Sequence, residues 1–146
     1  LTEKALFTYH LEWLWSFFIR GRDGFICQIR NKDNRKCGGD LQAMHIVTRG
    51  VPGIKYDKLN GLCGCRDHHK YYTHHPEFWA ALIQRHWPER WKYLNDEKWQ
   101  KVHPDIDRDA IYVDLLQCCE PFLTKFFEFR DKFQKAKDFY AGVKDK

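Results

Sequence analysis

The chain lacks any uninterrupted apolar run near twenty residues, so no segment reads as a membrane-spanning helix. It also lacks the aromatic poverty of a disordered chain: 16% of its residues are aromatic and 43% hydrophobic, enough to form a core. There is no internal repeat and no long linker, and 146 residues amount to one domain. No secretory leader is visible. The opening LTEKALFTYHLEWLWSFFIRGRD carries no initiator Met, and His10 and Glu12 break its apolar stretch, so it resembles a trimmed start more than a signal peptide. The expectation is an intracellular, cytoplasmic protein.

What the chain has is charge, unevenly placed. Residues 1–75 carry twelve Lys+Arg against seven Asp+Glu, whereas residues 76–146 carry thirteen of each, so the net charge of +5 lies in the first half. Residues 27–75 within it contain five of the eight His (45, 68, 69, 74 and 75) and four of the six Cys (27, 37, 63 and 65). Cys interleaved with His, without a secretory signal, reads as metal ligation rather than a disulfide framework.

Apolar residues at helical spacing over 4–20 predict an amphipathic helix, ended by Gly21, Asp23 and Gly24. NKDNRKCGGD at 31–40 has the composition of a loop or zinc knuckle. Residues 41–47 and 59–63 read as short strands, residues 67–73 as a short helix, and Pro76 opens a further helix. Helices dominate thereafter, with Pro88 and Pro104 separating segments and Pro121 splitting the stretch from Arg108 to Val143. The organisation expected is one domain, 1–146: an N-terminal helix (1–24), a Cys/His core (25–78) and a helical extension (79–146). Trp79, Trp87, Trp91 and Trp99 are spaced for core packing rather than base stacking, and Cys118 and Cys119 read as buried packing residues.

Cys27 and Cys37, joined by Cys65 and His68 at C-x-x-H spacing, supply four ligands suited to a structural, tetrahedral Zn²⁺. Such a site would order loops that bury too little apolar surface to order themselves. Cys63 could replace one of these ligands, although packing in the core suits it better. Arg49 and Lys55, with Lys58 nearby, are candidate phosphate contacts in the basic half, and a solvated loop explains each singly.

His45, Asn60 and His69 follow in order, and here the sequence resembles the HNH endonucleases. The likeness covers roughly residues 11–80: WSFFIRGRDGFIC, LQAMHIVTRG, IKYDKLNGLCGCRDHH and HHPEFW look like the small phage-encoded and bacterial zinc-containing HNH nucleases. It implies an α+β protein with a zinc-stapled ββα-metal (His-Me finger) core, placing His45 on the first strand, Asn60 in the loop and His69 on the helix. It implies further that His45 is the general base for the attacking water, that Asn60 fixes the loop, and that His69 binds one catalytic divalent metal such as Mg²⁺, Mn²⁺ or Ni²⁺. The implied partner is DNA, cut to 5′-phosphate and 3′-hydroxyl ends in a bacterial or phage-infected cell, with a phage or bacterial DNA-processing protein alongside, in recombination or packaging. Three positions depart from the family pattern. Met44 stands where a further metal ligand is common. Thr73 stands one helical turn after His69, leaving His74 as an additional ligand candidate. Arg30 and His68 occupy positions where Cys is usual.

Overall fold

The computed structural model describes residues 1–48, 50–101 and 106–146. Arg49 and the separator Pro104 lie outside the described residues.

The first helix, α1 (Glu3–Arg22), begins where Thr2 Oγ1 accepts the Ala5 N–H at 3.1 Å. Glu3 in the first turn and Arg20 and Arg22 in the last complement its dipole, and Leu11, Leu14, Trp15, Phe17 and Ile19 form its buried face. Two strands follow, β1 (Leu41–His45) and β2 (Gly61–Cys65), paired antiparallel with Gln42 opposite Gly64 and Met44 opposite Leu62. Helix α2 (Arg66–Thr73) leaves β2 directly, with Cys65 as its N-cap. Pro residues open α3 (Pro76–His86) and α4 (Pro88–Leu94), where a missing N–H costs no hydrogen bond. Then come α5 (Lys98–Lys101), α6 (Arg108–Cys119) and α7 (Arg130–Lys144); as expected, Pro121 marks the break between the last two, which is filled by single 3₁₀ turns. The architecture is α+β, with a two-stranded sheet among helices.

Strand boundaries differ from the sequence expectation, for two local reasons. The Asp57 side chain and carbonyl accept the N–H groups of Leu59 (2.8 Å) and Asn60 (2.9 Å), turning the chain so that β2 starts only at Gly61. The side chain of Asn60 then accepts the Val47 N–H (2.7 Å) and donates to the Val47 carbonyl (3.1 Å). A side chain thus substitutes for the ladder, and β1 stops at His45 instead of Val47.

Successive strand residues face opposite sides. Ala43 and His45 face α1, with Trp15 stacked on the His45 ring at 4.1 Å. Met44 and Leu62 belong to the core on the other side, beneath α2 and α3. Gly64 is required there, because a Cβ at that position would overlap the Met44 side chain. The hydrophobic interior accordingly has two parts. One joins α1 to α6 and α7 through Phe17, Tyr112, Leu115 and Phe133. The other gathers Cys27, Ile29, Met44, Leu62, Cys65, Trp79, Ile83 and Leu94.

Candidate metal centre and adjoining cleft

Cys27, Cys37, Cys65 and His68 come from three chain segments, and their ligand atoms all lie within 4.8 Å of one another. Nδ1 of His68 faces the sulfurs of Cys65 (3.1 Å), Cys27 (3.5 Å) and Cys37 (3.7 Å). A tetrahedron built on Zn–S of about 2.3 Å and Zn–N of about 2.0 Å has sulfur–nitrogen edges of about 3.5 Å, so the four residues fit a metal such as zinc. Start-of-helix geometry explains the C-x-x-H pair: Cys65 caps α2, and its Sγ accepts the His68 N–H at 3.4 Å, which brings His68 round onto the sulfur's side. Gly38 N–H reaches the same sulfur at 3.4 Å. A Cβ at Gly38 would meet the Asp67 carboxylate, which would have to swing aside.

The electrostatics favour a cation at the centre. Burial opposes ionisation of Cys65, but the N–H groups of His68 and Gly38 and the His68 ring outweigh it and lower the thiol to about 7. Desolvation of its sulfur, with hydrogen bonding and charge from Cys27 and then Cys65, pushes Cys37 up to about 12. Three sulfurs this close resist a second negative charge unless a cation shares it. Behind the cluster, His68 Nε2 lies 3.0 Å from the Asp33 carboxylate, which Tyr72 OH also approaches at 2.6 Å. Burial would raise Asp33, yet hydrogen bonds from Tyr72, the Arg35 N–H and His68 hold its carboxyl below the usual range. A carboxylate on the far nitrogen fixes the His tautomer with Nδ1 toward the metal. Sequence reasoning missed Asp33; the signal was a lone acid in the basic NKDNRK loop.

Beside this cluster lies a cleft of about 660 Å³, lined among others by Glu12, Trp15, His45, Lys55, His69 and Thr73. His45 and His69 reach it from opposite faces of the sheet. His45 Nε2 lies 3.0 Å from the Lys55 carbonyl, an acceptor only, so this nitrogen carries the proton and the ring's lone pair is on Nδ1. His69 Nδ1 meets Gln42 Oε1 at 2.7 Å, which by the same logic leaves its lone pair on Nε2. Asn60 is fully buried and also donates to the Ile54 carbonyl at 2.9 Å, tying the connection between the strands to the end of β1. Lys55 Nζ lies 3.4 Å from the carboxylate of Glu12, an α1 residue that no motif or spacing places here.

The remaining candidates fall elsewhere. His74 caps the end of α2 in an exposed position and joins neither the cluster nor the cleft lining. Cys63 is fully buried in β2, its N–H donating to the Asp23 carboxylate at 2.8 Å; burial and then Asp23 push its thiol up to about 12, and it is not part of the four-ligand group. Cys119 is buried, as expected, whereas Cys118 is half-exposed with Lys58 Nζ at 3.5 Å from its sulfur. Trp79 is buried and donates to the Ile46 carbonyl at 3.1 Å, and Trp87, Trp91 and Trp99 pack on the second core as partly buried residues. Arg49 lies outside the described residues.

No protein-family model matches the chain, and searches of curated proteins and of solved structures return no significant match. No helix among the described residues is long and apolar enough to cross a membrane. The site is therefore defined by its own chemistry: an α+β protein with a Cys₃His cluster able to hold a structural metal, set beside a cleft that contains two imidazoles.

Proposed function

We propose that the chain is a metal-dependent endonuclease of the HNH type that hydrolyses DNA phosphodiester bonds, leaving 5′-phosphate and 3′-hydroxyl ends. The observation that carries this reading is the meeting of His45, at the end of a strand, with His69, on the helix that follows the next strand, in one cleft braced by buried Asn60. The strand–strand–helix order of β1, β2 and α2 supports a ββα-metal core.

In this reading Nδ1 of His45 accepts a proton from water, the resulting hydroxide attacks phosphorus, and the P–O3′ bond breaks with the 3′ oxygen leaving as an alkoxide that takes up a proton from a second water. Trp15 stacked on the ring and the Lys55 carbonyl on Nε2 hold that imidazole in place and favour its protonated form as the proton arrives. Lys55, with Arg49, positions the phosphate. His69 would hold a divalent cation, which would supply charge stabilisation at the leaving oxygen. Among the described residues the cleft gathers no set of three ligating side chains, so this second metal depends on DNA for its binding. The setting is the cytoplasm of a bacterial or phage-infected cell, alongside other DNA-processing proteins.

Two observations favour a second reading, a non-catalytic zinc-dependent DNA-binding or assembly module. Met44 is 2% exposed and committed to the core, and the Thr73 hydroxyl donates to the His69 carbonyl at 2.7 Å, so neither adds a ligand at the cleft. Plasmid cleavage by wild type and His45→Ala, each zinc-loaded, with Mg²⁺, Mn²⁺ or Ni²⁺ separates the two. Nicking lost at least 100-fold in the variant, at equal zinc content, is the result expected of a general base. Salt-sensitive DNA binding without cleavage by either protein, under every metal, establishes the module instead.

A further inference from the structure

Along α2 and the start of α3, among residues that do not line the cleft, a guanidinium and three rings from three segments lie in successive contact. The Arg35 guanidinium lies 3.5 Å from the centroid of the Tyr71 ring. Tyr71 stacks on His75 at 4.2 Å and 23°, and His75 stacks on Phe78 at 5.7 Å and 8°. The His75 ring is further oriented by its Nδ1 against the Tyr71 carbonyl at 2.8 Å. Arg35 belongs to the loop after α1, Tyr71 to α2, and His75 and Phe78 to the start of α3. The row ends at Phe78, which is 51% exposed although it is a large apolar side chain. Among the described residues, no ring other than His75 and no cation stacks on Phe78.

We propose that Phe78 is the open end of a stacking platform that binds an unpaired base of a single-stranded nucleic acid, extending the row Arg35, Tyr71, His75, Phe78 by one more ring. Base–aromatic stacking is tolerant of sequence, because every base has a π face. The row is fixed before the ligand arrives, so ordering it costs the complex little. The charge around it suits a phosphate backbone: Arg30, Lys32, Arg35 and Lys36 share the 30–36 loop and are exposed, and Lys70 is exposed on α2. Of the nearby acids, Asp33 is committed to His68 and Tyr72, and Asp67 lies 3.6 Å from Arg66, leaving exposed Glu77 beside the platform. An apolar protein partner would gain nothing from so basic a border. The inference deepens the nuclease reading by giving its substrate an unpaired stretch, but the binding it describes does not depend on cleavage.

The test uses the full zinc-loaded chain without added Mg²⁺, a dT 12-mer carrying one 2-aminopurine, and a duplex of the same length. Wild type, Phe78→Ala and Phe78→Trp are compared in fluorescence titrations, and the series is repeated on the His45→Ala background, where cleavage is absent. Expected are quenching of 2-aminopurine by wild type, a loss of about 5- to 150-fold in single-strand affinity in Phe78→Ala, and retention in Phe78→Trp, with duplex affinity and salt slope unchanged. Equal single-strand affinity in wild type and Phe78→Ala overturns the platform, as does a parallel loss for both ligands or no single-strand binding by wild type. A change in sedimentation of Phe78→Ala alone, with DNA binding unchanged, makes the patch a self-association face and overturns it likewise. Platform binding without plasmid cleavage sinks only the nuclease reading, and cleavage without Phe78 dependence sinks only the platform.

Discussion

The two parts of the interior are held by different physics. Around α1, α6 and α7 the core is a set of large rings: Phe17 lies against Phe25, Phe122 and Phe129, and Tyr112 is fully buried with its hydroxyl donating to the Ala136 carbonyl at 2.6 Å. Apolar area removed from water is enough to stabilise such a bundle. Around the sheet, the segment between α1 and β1 runs through turns without regular helix or strand, and it includes Asn31 at a φ of 66°. Here two buried polar side chains, Asn60 and His68, add hydrogen bonds and a candidate ligand to the packing of Ile29, Met44, Leu62 and Ile83. Ordering such a segment costs about 1–2 kcal/mol per residue in backbone entropy alone, which short strands recover poorly and four metal bonds recover well. The candidate site lies in the region that a metal on the Cys₃His cluster would help to order.

The strongest way to break this contrast is to remove the metal. Structural zinc contributes an apparent ~10–16 kcal/mol in small domains, as much as a domain's whole stability. Chelation, or Cys65→Ser, is expected to unfold the region around β1, β2 and α2, read as loss of near-ultraviolet dichroism and protease cleavage within residues 25–75. Unchanged dichroism and protection at zero zinc content would erase the distinction. Next in size is the opposite lesion. Phe17→Ala, at a fully buried ring, is expected to cost about 3–5 kcal/mol in denaturant unfolding while zinc content stays the same.

A smaller effect probes the support of the cluster. Asp33→Ala removes the carboxylate on His68 Nε2 and is expected to weaken zinc retention about 10- to 100-fold in competition with a chromogenic chelator, leaving the α1/α6/α7 core intact. The least effect is expected at the joint between the regions, where Lys58 lies 2.9 Å from Asp114 of α6. The Asp114 hydrogen bond, against a desolvation cost, raises the Lys58 pKa above its ordinary value of 10.5. A raised lysine contributes stability that is complete below the unfolded-state pKa and is lost as pH climbs through the folded-state one. Lys58→Ala should therefore cost about 0.2–1 kcal/mol at neutral pH, falling toward zero in strongly alkaline solution, as read by a double-mutant cycle with Asp114→Asn.

The comparison also explains what could be read in advance. The helix starts at Pro76 and Pro88, the break at Pro121 and the C-x-x-H pair after β2 are local signals, each set by residues a turn or less apart. Cys27 and Cys37 were legible as ligands because thiols and imidazoles clustered in one stretch have few other uses. The strand ends were misjudged by two residues because local bonds that no periodicity describes intervene: Asn60 replaces the ladder after β1, and Asp57 turns the chain before β2. Cys118 turned outward because adjacent helical residues point about 100° apart, so only one of the pair could face the core.

The sequence alone determined the local elements, the four candidate metal ligands, and the order in which His45, Asn60 and His69 occur. Tertiary structure decided which distant groups support them: Asp33 behind His68, Trp15 over His45, Gln42 on His69, Glu12 at the cleft, and the row that ends at Phe78. The division has a physical basis. Caps, turns and C-x-x-H pairs act through bonds fixed by backbone geometry over a few residues, whereas partners 27 to 35 positions apart meet only once the separate segments that carry them have packed together.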